Sequence, residues 1–275
     1  MTSLATSLLP RLEAAADLHG AITFLESAGA EPNERVEWRQ LHDDARALAA
    51  ALQARGVEPG AHVAILGPTT RALVTSVQAT WLSGAATVML PLPMRLGSIE
   101  DFVQQTRARI VASDAVLVLV DRQLAAFLDP RPDDPPIVLL DEISSDAARM
   151  GAHAYRRPAD DPDALAILQY TSGSTADPKG VMLPHRCVAA NIDAILQASG
   201  LDPAHDVGVS WLPLYHDMGL IGLLTTPMTT GMELALAAPQ DFLAAPARWM
   251  EWMHAFRGTA TAGPNFAYAL AARAL

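Results

Sequence analysis

Between Ala166 and His185 the chain reads A-I-L-Q-Y-T-S-G-S-T-A-D-P-K-G-V-M-L-P-H. Thr171, Ser172, Ser174 and Thr175 surround Gly173, and Lys179 and Gly180 follow. These residue types suit a polyphosphate. Small side chains let the backbone come close, and its N–H groups and the hydroxyls can point at anionic oxygens. Lys179 adds a positive charge on a flexible stem. The spacing is not the G-x-x-x-x-G-K-[ST] of the standard P-loop. A solvated Ser/Thr/Gly turn is the alternative. A lysine held in a P-K-G turn, right after the apolar run Leu165–Leu168, favours phosphate.

A second stretch with chemical content is Trp211–Leu220, W-L-P-L-Y-H-D-M-G-L, which joins an apolar strand to an apolar helix. His216 and Asp217 could be metal ligands, but two adjacent residues without a second histidine make a weak set. They could be an acid/base dyad, but no nucleophile is spaced to partner them. Asp217 could equally sit in the first turn of a helix, at the favourable end of its dipole. The run Thr259–Tyr268 ends a short strand at Gly263-Pro264 and starts a helix near Asn265. Asn265 could cap that helix, and Phe266 and Tyr268 could be core.

Positioning these stretches requires a sizeable core. The chain has 275 residues, 51% of them hydrophobic, enough for one large domain or two small ones. The net charge of -11 carries no basic footprint for nucleic acid. The single cysteine, Cys187, excludes an intrachain disulfide and points to a reducing cytoplasm. The N-terminus lacks the basic start of a signal peptide and meets Arg11 and Glu13 early. The uncharged stretch between Arg71 and Arg95 is long enough to span a bilayer. Gln78, Ser83, Gly84, Pro91 and Pro93 interrupt it, so it reads as a buried helix and strand, with no membrane span.

Strands are expected at 21–25, 35–38, 63–66, 86–90, 116–120, 137–140, 165–168 and 206–210. Helices are expected over 1–20, at Leu41–Leu52 before a Gly56 cap, and at 71–83, 99–109 and 184–199. Ser98 with Asp101 reads as a capping box. Strands alternate with helices and are continuously apolar, which argues for parallel sheet covered on both faces. The fold class is therefore α/β, with layered α/β/α sheets flanked by helices. Pro/Asp-rich segments at 129–136 and 156–163 read as surface connections, the second dividing a first α/β subdomain, 1–160, from a second, 161–275.

The decamer T-S-G-S-T-A-D-P-K-G resembles the phosphate-loop signature of the adenylate-forming (AMP-binding) superfamily. That superfamily includes acyl-CoA synthetases, peptide-synthetase adenylation domains, luciferase and fatty acyl-AMP ligases. W-L-P-L-Y-H-D-M-G-L and G-P-N-F-A-Y are most similar to the fatty acyl-AMP ligases. One departure is Ala176, where the family usually has glycine; at a position with positive φ, alanine costs about 1 kcal/mol.

The resemblance implies that Thr171, Ser172, Gly173, Ser174, Thr175, Lys179 and Gly180 bind ATP with Mg²⁺. It implies catalytic roles for Lys179 and His216. It places a fatty acid against Tyr215, His216, Met218, Gly219, Pro264, Asn265 and Phe266, with Leu220 and Ile221 as further tunnel walls or ordinary core. The implied activity is activation of a fatty acid as its acyl-adenylate, then transfer to a thiol of an acyl carrier protein or of coenzyme A. The family's later motifs, Y-G-x-[TA]-E, T-G-D and a mobile domain with its own lysine, are absent up to Leu275. The chain is therefore expected to be an N-terminal fragment, inactive alone. The rival expectations are a long-chain acyl-CoA synthetase fragment and a catalytically dead binding or scaffold module.

Overall fold

The computed structural model of the chain describes residues 6–25, 33–92, 99–128, 130–170 and 179–274. The first half of the chain forms α1 (Leu8–Ala16), β1 (Ala21–Phe24), β2 (Glu34–Glu37), α2 (Trp38–Ala54), β3 (His62–Leu66), α3 (Arg71–Leu82), β4 (Ala86–Met89), α4 (Ile99–Ala112), β5 (Ala115–Val120), α5 (Arg122–Ala125), β6 (Ile137–Leu139) and α6 (Leu140–Met150). The second forms β7 (Leu165–Tyr170), β8 (Gly180–Pro184), α7 (His185–Ser199), β9 (Val207–Ser210), a π-helix (Met218–Thr225), α8 (Thr226–Thr230), β10 (Glu233–Leu236), α9 (Pro239–Ala244), α10 (Arg248–Ala255) and α11 (Asn265–Ala274). Two compact units result, Met1–Leu9 with Asp43–Val188, and Pro10–His42 with Ala189–Leu275. The class is α/β, two sheets flanked by helices.

The first unit is built on a six-stranded sheet ordered β6-β5-β3-β4-β7-β8. Its strands are parallel except β8, which runs antiparallel to β7 at the edge. Successive residues of a strand face opposite sides. Val63, Ala64, Ile65 and Leu66 are all fully buried, so both faces are covered, which is why the strands read as unbroken apolar runs. The uncharged stretch after Arg71 is α3, buried from Leu73 to Leu82. Its polar residues survive burial because the Ser76 and Thr80 hydroxyls donate to carbonyls one turn back, each at 2.8 Å. Among the described residues no helix is long and apolar enough to cross a membrane.

Strand β7 is held from two sides. Its pairing with β8 slips in register between Leu165 and Ile167. The carbonyl of Ala166, inside that slip, accepts the indole N–H of fully buried Trp81 at 2.8 Å. An unmet carbonyl there would cost about 1–3 kcal/mol. His185 opens α7 and is 2% exposed, with the Leu8 N–H donating to its Nδ1 at 3.4 Å. Burial pushes the imidazole down to about 4, against the pull of Asp160 and Asp161.

The second unit carries a four-stranded sheet ordered β2-β1-β10-β9. β1 and β2 form an antiparallel pair, while β1, β10 and β9 are parallel, with Ile22 opposite Leu234. The Trp38 indole N–H donates to the Met232 carbonyl at 2.9 Å. Gly20 lies so close to the Gly231 carbonyl that an added Cβ would overlap it.

Several expectations change. A division at 160/161 would part β6 and β7, strands of one sheet; the units divide where the chain passes between the two sheets. Residues after Gly180, read only as resumed apolar sequence before a helix, form edge strand β8. The strand expected to reach Leu140 ends at Leu139, where α6 starts. The strand expected before Gly263 is reduced to one bridge, Gly208 with Ala260. Ser98 of the expected capping box lies outside the described residues.

Two consequences are measurable. Gly20→Ala forces apart two backbones and is expected to cost about 2–3 kcal/mol in urea unfolding; an unchanged midpoint would refute the close approach. His185 binds a proton in the unfolded chain near its ordinary value of 6.5, but in the folded chain only near 4. Its contribution to stability is therefore full above pH 6.5 and is lost as pH falls from there towards 4, by on the order of 3 kcal/mol at most. Unfolding free energies at pH 7 and 4.5 should fall less steeply in His185→Gln than in the parent; parallel slopes would exclude His185 as the source.

Candidate functional site

Thr171, Ser172, Gly173, Ser174 and Thr175, together with Ala176, Asp177 and Pro178, lie outside the described residues. Their brackets do not. Tyr170 ends β7 and is paired with Gly180, which opens β8. Lys179 stands next to that pair, exposed, and among the described residues it makes no ion pair. It is also the only lysine in the sequence. Gly180 packs close to Leu168 and Tyr170; a Cβ there would lie 2.9 Å from a Leu168 methyl. Tyr170 is 8% exposed, and burial raises its phenol above the ordinary value, opposed by the Arg109 guanidinium.

The second and third stretches come together in the other unit. Trp211 follows β9 and stacks on Phe242, with ring centroids 3.8 Å apart and planes 12° from parallel. Trp249 meets both rings edge-on, each at 5.7 Å. Tyr268 of α11 lies 5.0 Å from Trp249. Gly263 fits over this cluster because it has no side chain; a Cβ would stand 3.0 Å from Trp249 and 3.5 Å from Trp211. Thr261 ties the arrangement to β9. Its hydroxyl accepts from Trp249 Nε1 at 3.0 Å and donates to the Val209 carbonyl at 2.7 Å. Trp249, Phe242 and Thr261 did not stand out in sequence. The signal available was Trp249 and Trp252 at helical i, i+3 spacing on α10.

From Trp211 the chain turns outward. Leu212 and Leu214 are buried, Tyr215 is half-buried, and His216 and Asp217 are exposed. Burial pushes the Tyr215 phenol up to about 12, so it stays a neutral donor. The His216 N–H donates to the Pro213 carbonyl at 3.2 Å, and its carbonyl accepts from Leu220 at 2.8 Å. The imidazole lies 3.8 Å from the Asp217 carboxylate, whose Oδ1 accepts the Met218 N–H at 2.8 Å. Asp217 thus caps the following helix, one of the alternatives open from sequence.

That helix is a π-helix, a form found mostly in short pieces and often at functional sites. The Thr225 and Thr226 hydroxyls support it by donating to the carbonyls of Leu220 and Ile221, five residues back. Gly219 is buried where a Cβ would overlap the Pro213 carbonyl, so the turn carrying His216 requires glycine. Leu220 and Ile221 are buried and Met218 is exposed.

In the third stretch, Asn265 opens α11. The Pro264 carbonyl accepts the Ala267 N–H at 2.9 Å. Phe266 and Tyr268 are about half exposed rather than core, and Ala267 carries the buried face. No group of three or more His, Cys, Asp or Glu is gathered to hold a metal among the described residues.

Known proteins share both the sequence and the fold. The chain is 34% identical over 263 residues to the long-chain-fatty-acid–AMP ligase FadD26 of Mycobacterium marinum, covering 92% of this chain and 44% of that protein. It is 33% identical over 255 residues to FadD28 of Mycobacterium tuberculosis, also named a long-chain-fatty-acid–AMP ligase, covering 86% and 41%. The crystal structure of a fatty acyl-adenylate ligase from Legionella pneumophila, in complex with acyl adenylate and pyrophosphate, superposes with a TM-score of 0.84 at 28% identity. That match covers 97% of this chain and 45% of the other. The chain thus spans less than half the length of the relatives it matches. The AMP-binding enzyme family model matches residues 12–274, nearly the whole sequence, and the chain belongs to that family.

Proposed function

We propose that the chain supplies the phosphate-binding and acyl-binding parts of a fatty acyl-AMP ligase. The observation that carries this reading is the pairing of Tyr170 with Gly180, which ties the two ends of T-S-G-S-T-A-D-P-K-G beside the chain's only lysine. In the proposed reaction a fatty carboxylate oxygen attacks the α-phosphorus of ATP. The bond from that phosphorus to the bridging oxygen breaks, and pyrophosphate leaves with the electron pair. A thiol sulfur then attacks the acyl carbonyl, AMP departs, and the thiol proton passes to solvent. The acceptor we favour is the thiol of a carrier protein, in line with relatives named as AMP ligases.

Charge builds on the departing phosphates, so fixed donors and a cation there lower the barrier. Lys179 meets that need: it is exposed, next to a rigid strand pair, and not engaged by a carboxylate among the described residues. The hydroxyls and backbone of Thr171–Thr175 are proposed to share the load. Mg²⁺, arriving with ATP, would supply Lewis acidity at the phosphate oxygens. His216 is proposed to border the reacting carboxylate, with Tyr215, Met218, Gly219, Pro264, Asn265 and Phe266 around it. The half-exposed Phe266 and Met218 leave apolar surface for an acyl chain. One cysteine and no disulfide fit a cytoplasmic setting.

At less than half the length of its relatives, the chain alone is proposed to bind ATP without turning it over. Calorimetry should find ATP binding that weakens roughly tenfold or more in Lys179→Ala, the loss of one charge-assisted contact. Acylation of the single lysine amine by a reactive ester should slow when ATP is present. No ATP binding, or binding indifferent to Lys179, would sink the reading. ATP–pyrophosphate exchange driven by a long-chain fatty acid in this chain would overturn only the inactivity.

Gly219→Ala tests the acyl side. It is expected to cost about 1–3 kcal/mol and to displace His216. Fatty-acid binding, read by tryptophan fluorescence, should weaken while ATP binding is unchanged; equal loss of both would argue for general unfolding.

A further inference from the structure

Arg109 lies on α4, outside every motif singled out in the sequence. Two residues earlier on the same helix, Arg107 pairs with Asp134 at 2.5 Å. Arg109 makes no ion pair and no side-chain hydrogen bond among the described residues. Its Nε is shut off from solvent and has no partner among the described residues. Its neighbour Ile110 packs in one apolar cluster with Leu168 and Tyr170 of β7. The guanidinium and the Tyr170 phenol interact electrostatically, and burial works against the arginine's charge.

A partly buried cation is ordinarily matched by an anion, because desolvating it alone costs free energy. In the first unit the matching group is missing among the described residues. Tyr170 is the last residue of β7, level with the carboxyl ends of β3, β4 and β5. Ligands of parallel sheets bind beyond those ends. Guanidinium is also the side chain suited to phosphate, through its paired donors.

We propose that Arg109 is a second phosphate-binding cation, acting with Lys179 on the polyphosphate of the nucleotide. This rests on the ATP reading above and adds a residue that none of the family-like motifs contains. The unpaired charge is then a cost held in the free protein and relieved by the ligand. Two properties follow together: removing the charge weakens the ligand and does not weaken the fold. A guanidinium kept for structure would behave in the opposite way.

The test uses this chain with ATP and with inorganic pyrophosphate as probes, in calorimetry, beside thermal melting without ligand. Arg109→Gln should bind both probes about tenfold or more weakly, with an unchanged or higher melting temperature. Arg109→Lys should recover part of the affinity. The dependence of affinity on salt should be shallower in Arg109→Gln than in the parent. A lowered melting temperature with parental affinity would overturn the proposal and make Arg109 structural. Binding that falls in Lys179→Ala but stays parental in Arg109→Gln would overturn it while leaving the ATP reading intact. Absence of probe binding by the parent would remove both.

Discussion

Strand β7 is the constraint on which the first unit turns. It lies between β4 and β8, buried along most of its length, and everything proposed for phosphate follows directly from its last residue. The strand is not regular: the β7–β8 register slips around Ala166. The slip takes up the mismatch with Pro184, which has no N–H to give a ladder. The Trp81 indole then engages the Ala166 carbonyl. A helix residue thereby fixes the depth of a strand whose far end presents Tyr170 and Gly180 as a pair. Local strand strength could not do this alone, because β8 is an exposed edge with Val181 and Met182 open to solvent.

The second unit solves a different problem. Its stretch Trp211–Leu220 must leave a buried sheet and bring polar side chains to the surface within a few residues. The aromatic cluster anchors the start, with Trp211 clamped between stacked and edge-on rings. Gly219 permits the return, since only a residue without a side chain fits beneath Pro213. His216 is exposed because both flanks are pinned. Thr261 extends the same logic to the Gly263 segment, linking Trp249 to β9 through a single hydroxyl.

Much of this was legible. Continuous apolar runs marked six of the strands, and the spacing of Leu41, Ala45, Leu48 and Leu52 marked α2, ended by Gly56 at φ +85°. What failed shows where local reading stops. Helix α6 has no polar cap: Leu139 caps it without a side-chain hydrogen bond, so strand and helix run together with no punctuation. Strand β8 is too short an apolar run to declare a period. The π-helix is invisible in sequence: nothing in the apolar run Met218–Thr225 marks the five-residue spacing at which the Thr225 and Thr226 hydroxyls donate to the Leu220 and Ile221 carbonyls. The domain boundary failed for a topological reason. β1 pairs with β10 across most of the chain, a contact that no window of neighbouring residues contains. At the candidate site, the motifs picked out candidate residues but not their surroundings, and the partner rings of Trp211 come from α9 and α10, for which the sequence raised no expectation.

In the proposed phosphate site, charge is the source of selectivity. A chain of net charge -11 repels a polyphosphate at long range, although salt shortens that reach to about 8–10 Å. Attraction must therefore come from cations close at hand. Several arginines are already engaged: Arg11, Arg35, Arg71, Arg107, Arg122 and Arg186 are each paired with a carboxylate. Such exposed pairs add little to stability, but each cancels a positive charge locally. A uniform arginine surface would have bound anions everywhere. Pairing these guanidinium groups with carboxylates cancels part of the chain's positive charge, while Lys179 beside the Tyr170–Gly180 pair makes no ion pair among the described residues. In the proposed reading, specificity for a phosphate there comes from neutralisation elsewhere as well as from the cation itself.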